Sequence, residues 1–210
     1  SSSAASDVYK RQIGACYKSL GQLKGSVRMF ETAVNIKPDY AEAHKNLGIT
    51  LRDLGQMDEA VKSLNKAISA EPNNVDAHYN LAITLKDLKQ SESAIQSYKK
   101  AIEIKPDFAE AYNNLGIIFN DLKQFNKAIN AFEKAIALNS NFTEAHNNLG
   151  NSLRDQGQLD RAVKYYEQAI NLKPDYYHAH NNLGFGLMGL GEINKAISCF
   201  KTAISLKPDY

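Results

Sequence analysis

Asparagine recurs at one place in a 34-residue pattern, and its carboxamide suggests the chemistry that the chain could perform. The asparagine row consists of Asn46, Asn80, Asn114, Asn148 and Asn182. A carboxamide both donates and accepts hydrogen bonds, so it can pair with the C=O and N–H of a peptide unit without reading the side chain. We predict that the row holds the backbone of an extended polypeptide. The alternative is that each asparagine bonds a neighbouring helix and only secures the stack.

An aspartate follows four of these asparagines at a constant distance. The aspartate row consists of Asp53, Asp87, Asp121 and Asp155. Each lies near the predicted C-terminal end of a helix, where the helix dipole disfavours an anion, so helix formation does not explain the row. We hypothesise that it selects Lys, Arg, Ser or Thr side chains beside the bound backbone. Alternatively, Arg52, Lys86 and Arg154 neutralise it and the row is an ordinary solvated face.

Proline marks the repeats that position both rows. Pro38, Pro72, Pro106, Pro174 and Pro208 share a period of 34 residues, and Ser140 takes the one remaining place. The predicted repeats are 7–40, 41–74, 75–108, 109–142, 143–176 and 177–210. Self-similarity at this period predicts a solenoid rather than a single globular domain. Residue positions below are counted from the first residue of each repeat.

Each repeat has the pattern of two amphipathic helices. In repeat 109–142 the first helix has apolar or small residues at Tyr112, Leu115, Gly116 and Phe119, which is the i, i+3, i+4, i+7 spacing. Small residues such as Gly116 are predicted to face large ones such as Phe132. Four residues are predicted to cap the first helices at their N-termini: Asp39, Asn73, Asp107 and Asn141. Lys89 and Lys123 replace glycines in the turns, where a left-handed backbone is expected.

These motifs resemble the tetratricopeptide repeat. Its aromatic, Leu-Gly, Ala, Phe, Ala pattern is met by Tyr112, Leu115, Gly116, Ala128, Phe132 and Ala135, and most repeats end in proline. The resemblance implies an all-α, right-handed superhelical solenoid of six helix-turn-helix repeats, whose first helices line a concave groove. The asparagine row is similar in style to the repeat region of O-linked N-acetylglucosamine transferases, where such residues grip substrate polypeptide.

Composition argues against several other classes of function. The chain has 25 Lys and Arg against 23 Asp and Glu, so no broad basic field predicts nucleic-acid binding. No apolar run approaches the roughly 18 residues of a membrane span. Cys16 and Cys199 lie in the first and last repeats, which favours a reduced, cytoplasmic setting over a disulfide.

No residue set predicts catalysis, a metal site or a cofactor. Four histidines share position 4, where family members carry a packing aromatic: His44, His78, His146 and His180. We interpret them as residues at the edge of the core rather than as metal ligands. Scattered acids along a groove do not form a catalytic constellation.

The two ends of the sequence depart from the repeat pattern. Residues 1–12 do not match it, and they resemble either translated adapter sequence or a polar tail; we predict a disordered or non-native tail over residues 1–6. The last residues, Pro208 to Tyr210, correspond to the start of a further repeat, without the polar cap that ends most solenoids. We therefore expect a fragment of a longer protein that could self-associate through its uncapped ends.

Three functions follow from these patterns. The first is a protein–protein interaction module that binds extended polypeptide and performs no catalysis of its own. The second is the substrate-recruiting arm of an enzyme, such as a glycosyltransferase, whose catalytic domain is absent here. The third is a structural scaffold that joins subunits through its convex face or its ends.

Overall fold

The computed structural model describes residues 2–209, with side chains from residue 6, and this part of the chain consists of helices and turns. The N-terminal half, Ser1–Pro106, contains α1 Ser2–Ser19, α2 Leu23–Ile36, α3 Ala41–Asp53, α4 Met57–Ala70, α5 Val75–Asp87 and α6 Ser91–Ile104. The C-terminal half, Asp107–Tyr210, contains α7 Ala109–Asp121, α8 Phe125–Leu138, α9 Thr143–Asp155, α10 Leu159–Leu172, α11 Tyr177–Gly189 and α12 Ile193–Leu206. The all-α class with six helix-turn-helix repeats is confirmed.

The first helix differs from the expectation for the N-terminus. Residues 2–6 continue α1 without a break, whereas we expected a disordered or non-native tail over residues 1–6. Extending an existing helix costs far less than nucleating one, so the alanines of this segment can join α1. Residue 1 lies outside the described residues, and the origin of residues 1–12 stays a prediction.

Close packing joins the two helices of each repeat, as the alternation of small and large residues predicted. A Cβ atom added to Gly48 would lie 2.6 Å from the Leu64 side chain, within the N-terminal half. In the C-terminal half, a Cβ atom on Gly150 would lie 2.5 Å from the Tyr166 ring. The helices therefore approach each other only because these positions lack side chains.

The turn between the two helices of a repeat requires a left-handed residue. Gly55 and Gly157 have φ angles of 79°. Lys89 and Lys123 adopt the same conformation, with φ angles of 62° and 59°, as predicted from their places in the repeats. The turn geometry is therefore retained without glycine, at a strain of roughly 1 kcal/mol per residue.

The predicted caps of the first helices were wrong by one residue. The N-cap positions are occupied by Tyr40, Asn74, Phe108, Phe142 and Tyr176, and not by the acids and amides that precede them. Among these five, Asn74 alone caps through its side chain, accepting from the Ala77 amide at 2.9 Å. The aromatic N-cap residues are half-buried, so apolar packing replaces side-chain capping where these helices begin.

Candidate peptide-binding face of the first helices

The position-4 histidines attach each first helix to the turn before it. Their Nε2 atoms lie 2.8–3.0 Å from backbone carbonyl oxygens six residues earlier: His44 at Pro38, His78 at Pro72, His146 at Ser140 and His180 at Pro174. Because the acceptor is a backbone oxygen, Ser140 can replace proline without loss of this bond. In the part of the chain that the structure describes, no cluster of His, Cys, Asp or Glu is arranged to hold a metal ion.

In the N-terminal half, the asparagine row contacts charged neighbours. Asn46 donates weakly to Glu42 in its own helix, at 3.4 Å. Asn80 donates to the backbone oxygen of Asp76 at 2.8 Å and accepts from the Arg52 guanidinium of the preceding repeat at 3.1 Å. Both asparagines are half-buried. Asn80 therefore links two repeats, whereas the bond from Asn46 to Glu42 stays within one helix.

In the C-terminal half, the row bonds a second set of asparagines that sequence reasoning missed. The Asn148 amide donates to Asn113 at 3.1 Å, and the Asn182 amide donates to Asn147 at 2.9 Å. Asn113 and Asn147 are only 5% and 4% exposed, so they depend on these partners. Asn114, the row member on α7, is half-buried. The doubled asparagines at positions 5 and 6 were the sequence signal for this network.

These contacts support the stacking role of the asparagine row without using all of its bonding capacity. A carboxamide has two N–H donors and two acceptor lone pairs on its oxygen. Asn148, for example, uses one N–H in its bond to Asn113. Binding of a polypeptide backbone by the row stays a prediction.

The aspartate row divides into paired and unpaired members. Asp53 lies 3.0 Å from the Lys18 amine and 3.5 Å from the Arg52 guanidinium, and Asp155 lies 3.1 Å from Arg154. For these two, neighbouring cations neutralise the carboxylate, as the alternative interpretation proposed. Asp87 and Asp121 are exposed and form no ion pair with any residue from 6 to 209.

A small cavity on the C-terminal half brings predicted and unpredicted residues together. It has a volume of about 170 Å³ and is lined by Ile117, Asn120, Asp121, Phe132, Asn148 and Asn151. Asp121 and Asn148 belong to the two predicted rows. Asn120 and Asn151 were not singled out from the sequence, because their importance depends on the cleft that α7 and α9 form.

Two hydroxyl groups orient the unpredicted amides of this cavity. Ser152 donates to the Asn120 side-chain oxygen at 2.7 Å, and Tyr166 donates to the Asn151 side-chain oxygen at 2.9 Å. Burial raises the pKa of Tyr166 well above its ordinary value, so the phenol keeps its proton and remains a donor. The side-chain N–H groups of Asn120 and Asn151 are therefore oriented to donate to other partners.

A larger cavity lies elsewhere, on the N-terminal half. Its volume is about 650 Å³, and its lining includes Val27 of α2, Leu47 and Leu51 of α3, and Glu59 and Lys62 of α4. None of the residues of the asparagine or aspartate rows lines it. Its apolar floor belongs to the core cluster around Leu47 and Leu51.

The length and hydropathy of the helices decide whether any of them could cross a bilayer. Among residues 2–209, no helix combines the length and the hydropathy that crossing a bilayer requires.

Family models match most of the chain. A model described as "TPR repeat" matches residues 50–89, 84–122 and 150–189. Models described as "Tetratricopeptide repeat" match residues 12–40, 109–142, 131–164 and 177–210. A comparison with curated protein sequences gave no significant match.

Solved structures include similar chains. MamA is 32% identical, with a TM-score of 0.72, over 77% of this chain and 95% of its own. YrrB, described as a TPR protein with an unusual peptide-binding site, is 23% identical, with a TM-score of 0.70, over 86% of this chain and 93% of its own. Pseudomonas aeruginosa pilF is 20% identical, with a TM-score of 0.85, over 100% of this chain and 96% of its own. The chain belongs to the tetratricopeptide repeat family.

Proposed function

We propose that the chain is a protein–protein interaction module that binds an extended polypeptide along the asparagine face of its first helices. The observation that carries the proposal is the recurrence of one half-buried carboxamide at position 6 of five repeats, each with bonding capacity for a further partner. Peptide binding by YrrB, as its description states, supports this use of the fold.

The spacing of the repeats suits an extended ligand. Packed helices advance by about 10 Å, while an extended chain rises about 3.3 Å per residue. One asparagine would then meet the ligand backbone at about every third residue, so the row would engage roughly 12 to 15 residues. Because the carboxamide pairs with the peptide unit, such binding tolerates many ligand sequences, and neighbouring side chains supply the selectivity.

The chain's part in a larger assembly follows from the same proposal. We infer that it contributes binding and no catalysis, either as a separate module or as the substrate-recruiting arm of an enzyme such as a glycosyltransferase. A cytoplasmic location and self-association through the end repeats stay predictions. The scaffold function is favoured by a different feature, the apolar-floored cavity of about 650 Å³ between α2, α3 and α4.

A peptide array probed with the full chain tests the proposal. The test variant combines Asn46→Ala, Asn80→Ala and Asn114→Ala. The matched control combines Asn65→Ala and Asn130→Ala, which remove exposed asparagines from the second helices α4 and α8. Since each lost hydrogen bond costs about 1 kcal/mol, we expect at least a tenfold loss of affinity in the test variant. The control should stay within about twofold of the wild type.

Circular dichroism separates loss of binding from loss of fold. Both variants must keep the helical signal and the thermal unfolding midpoint of the wild-type chain. Equal binding by test variant and control would contradict the proposal, and would move attention to the cavity between α2 and α4.

A further inference from the structure

We propose that the cavity between α7 and α9 is a subsite for one cationic side chain, lysine or arginine, of the bound polypeptide. This inference rests on the proposed function and names the side chain that one repeat selects. It differs from the general hypothesis for the aspartate row, because it assigns the selectivity to one carboxylate, Asp121, which lines a cavity and has no basic residue before it in the sequence.

The residue that precedes Asp121 is neutral, unlike the residues that precede the other aspartates of the row. Position 12 is basic in the other repeats that have an aspartate at position 13: Arg52, Lys86 and Arg154. In the fourth repeat this position is Asn120, which is neutral. Arg52 and Arg154 lie beside their own aspartates, at 3.5 Å and 3.1 Å. Asp87 follows Lys86 without pairing with it, but Asp87 does not line this cavity. Asp121 thus differs from the other three aspartates in having both a place in the cavity wall and no basic residue before it.

Three cations of the C-terminal half contact groups other than Asp121. The Arg154 guanidinium of α9 is paired with Asp155. The Lys127 amine lies over the Phe119 ring at 5.6 Å, and the Lys123 amine lies over the Phe125 ring at 5.9 Å. Among the residues that the structure describes in side-chain detail, none forms an ion pair with Asp121. A ligand cation would therefore meet an uncompensated carboxylate.

The amides that line the cavity are oriented for a lysine or arginine and the adjoining peptide units. Asn148 uses an N–H in its bond to Asn113, so its oxygen can join Asp121 in accepting from a cationic group. The oxygens of Asn120 and Asn151 already accept from hydroxyls, so their N–H groups can donate to ligand carbonyls. Acceptors and donors are thus both present, and both match a polypeptide.

The size and floor of the cavity favour a single side chain. Its volume of about 170 Å³ is well below the roughly 300–1,000 Å³ of pockets that hold small molecules. The half-buried Ile117 side chain offers an apolar surface on which the methylenes of lysine or arginine can pack while the charged end stays near solvent. Phe132 also lines the cavity, but it is only 1% exposed. One carboxylate is too few for a divalent cation site, which needs several anionic ligands.

The test compares three variants of the full chain against one peptide library. Peptides of about 12 residues carry Lys, Arg, Gln, norleucine or Glu at each position in turn. Asp121→Asn removes the charge with the same shape, and Asn120→Arg supplies the internal cation found in neighbouring repeats. Asp155→Asn is the matched control, because it alters an aspartate of the same row that already has a partner.

We expect the wild type to prefer Lys or Arg over norleucine at one peptide position by about tenfold. Asp121→Asn and Asn120→Arg should both reduce this preference to about twofold, while Asp155→Asn retains it. Raising the salt from about 50 mM to about 500 mM should weaken the preference in the wild type. Circular dichroism confirms that each variant is folded.

Two results overturn the subsite, and they differ from failure of the proposed function. If the preference persists in Asp121→Asn, or falls equally in Asp155→Asn, the cavity does not select the cation. In that case the peptides still bind and still lose affinity in the Asn46, Asn80, Asn114 triple variant. If no peptide of the library binds the wild type, the proposed function fails and the subsite fails with it.

Discussion

The two halves of the chain join successive repeats with different polar chemistry. In the N-terminal half the links between first helices involve charged groups: ion pairs join Lys18 to Asp53 and Lys45 to Asp76, and the Arg52 guanidinium donates to the Asn80 amide oxygen. In the C-terminal half the links between first helices are neutral: Asn148 to Asn113, Asn182 to Asn147 and Ser152 to Asn120. The second helices of this half carry an exposed ion pair, Arg161 to Glu133 at 3.6 Å. The packing beneath is shared, since Gly48 against Leu64 and Gly150 against Tyr166 make equivalent approaches.

Lys45 shows what the ionic links require. Burial lowers the pKa of its amine, but the carboxylates of Glu42 and Asp76 outweigh that effect and raise the pKa above its ordinary value. The neutral links between amides and hydroxyls involve no buried charge, so they need no carboxylate to offset the cost of burying one. Packing positions therefore define the repeat, whereas polar positions can change chemistry from one repeat to the next and so change what the face can bind.

The largest expected effect tests the shared packing layer. Gly150→Ala should lower the free energy of unfolding by about 2 kcal/mol, because the new Cβ atom meets the rigid Tyr166 ring at 2.5 Å. Gly48→Ala should cost about 1 kcal/mol, because the Leu64 side chain at 2.6 Å is more flexible than a tyrosine ring. The remaining cost comes from the Ala60 backbone oxygen, which would lie 3.1 Å from the new Cβ atom. Urea unfolding of both variants measures the difference. Equal losses would show that ring rigidity does not matter here.

The next prediction separates the two kinds of polar link. Asn182→Ala should destabilise the C-terminal half by about 1.5 kcal/mol, because it leaves the buried Asn147 oxygen without this donor. Asn46→Ala should be neutral, since it loses only a 3.4 Å contact to Glu42. Hydrogen exchange of α9 and α11 against α3 reports the local effect. A similar cost for both variants would remove the distinction between the halves.

The free energy of unfolding should fall at alkaline pH because of Tyr166, which bonds an amide of the cavity wall in the C-terminal half. Burial raises the pKa of Tyr166, so above pH of about 10 the unfolded chain ionises first and stability falls by up to about 1.4 kcal/mol per pH unit. Tyr166→Phe should lose about 1 kcal/mol at neutral pH with its bond to Asn151, yet decline less steeply above pH 10. Urea unfolding between pH 8 and 11 checks this; parallel declines would refute the assigned role of the phenol.

The smallest effect is the response to salt. Raising NaCl from about 50 mM to about 500 mM should lower the opening free energy of α3 and α5 by about 0.5 kcal/mol relative to α9 and α11, because salt screens surface ion pairs and not amide pairs. Hydrogen exchange at the two concentrations measures it within one sample. Equal shifts in both halves would mean that the ion pairs contribute no net stability.

Several features of the fold were predictable because they are local or repeat with the period. The helices follow from apolar spacing, the left-handed turns at Lys89 and Lys123 from alignment of the repeats, and the contact of Gly116 with Phe132 from alternation of small and large residues. The caps were not predictable from spacing alone. At Tyr40 and its equivalents, packing of an aromatic residue displaced the capping box by one position.

The candidate site was predictable only in part. Both rows could be recognised, since a 34-residue period places equivalent residues on equivalent faces. The partners of these residues could not be recognised, because a hydrogen bond between repeats depends on the stagger of two helices to within about an ångström. Asn113 and Asn120 are examples: one is a buried acceptor, and the other is oriented by a serine 32 residues away.

The family, the six repeats, the turns and the residue types on the first-helix face follow from the sequence alone, because each of these depends on composition and period. Only the tertiary structure decided which carboxylates are neutralised, which amides are already bonded and where a cavity forms beside Asp121. The physical reason is that periodicity specifies direction along a helix, whereas pairing between side chains requires the distance and rotation that packing alone sets.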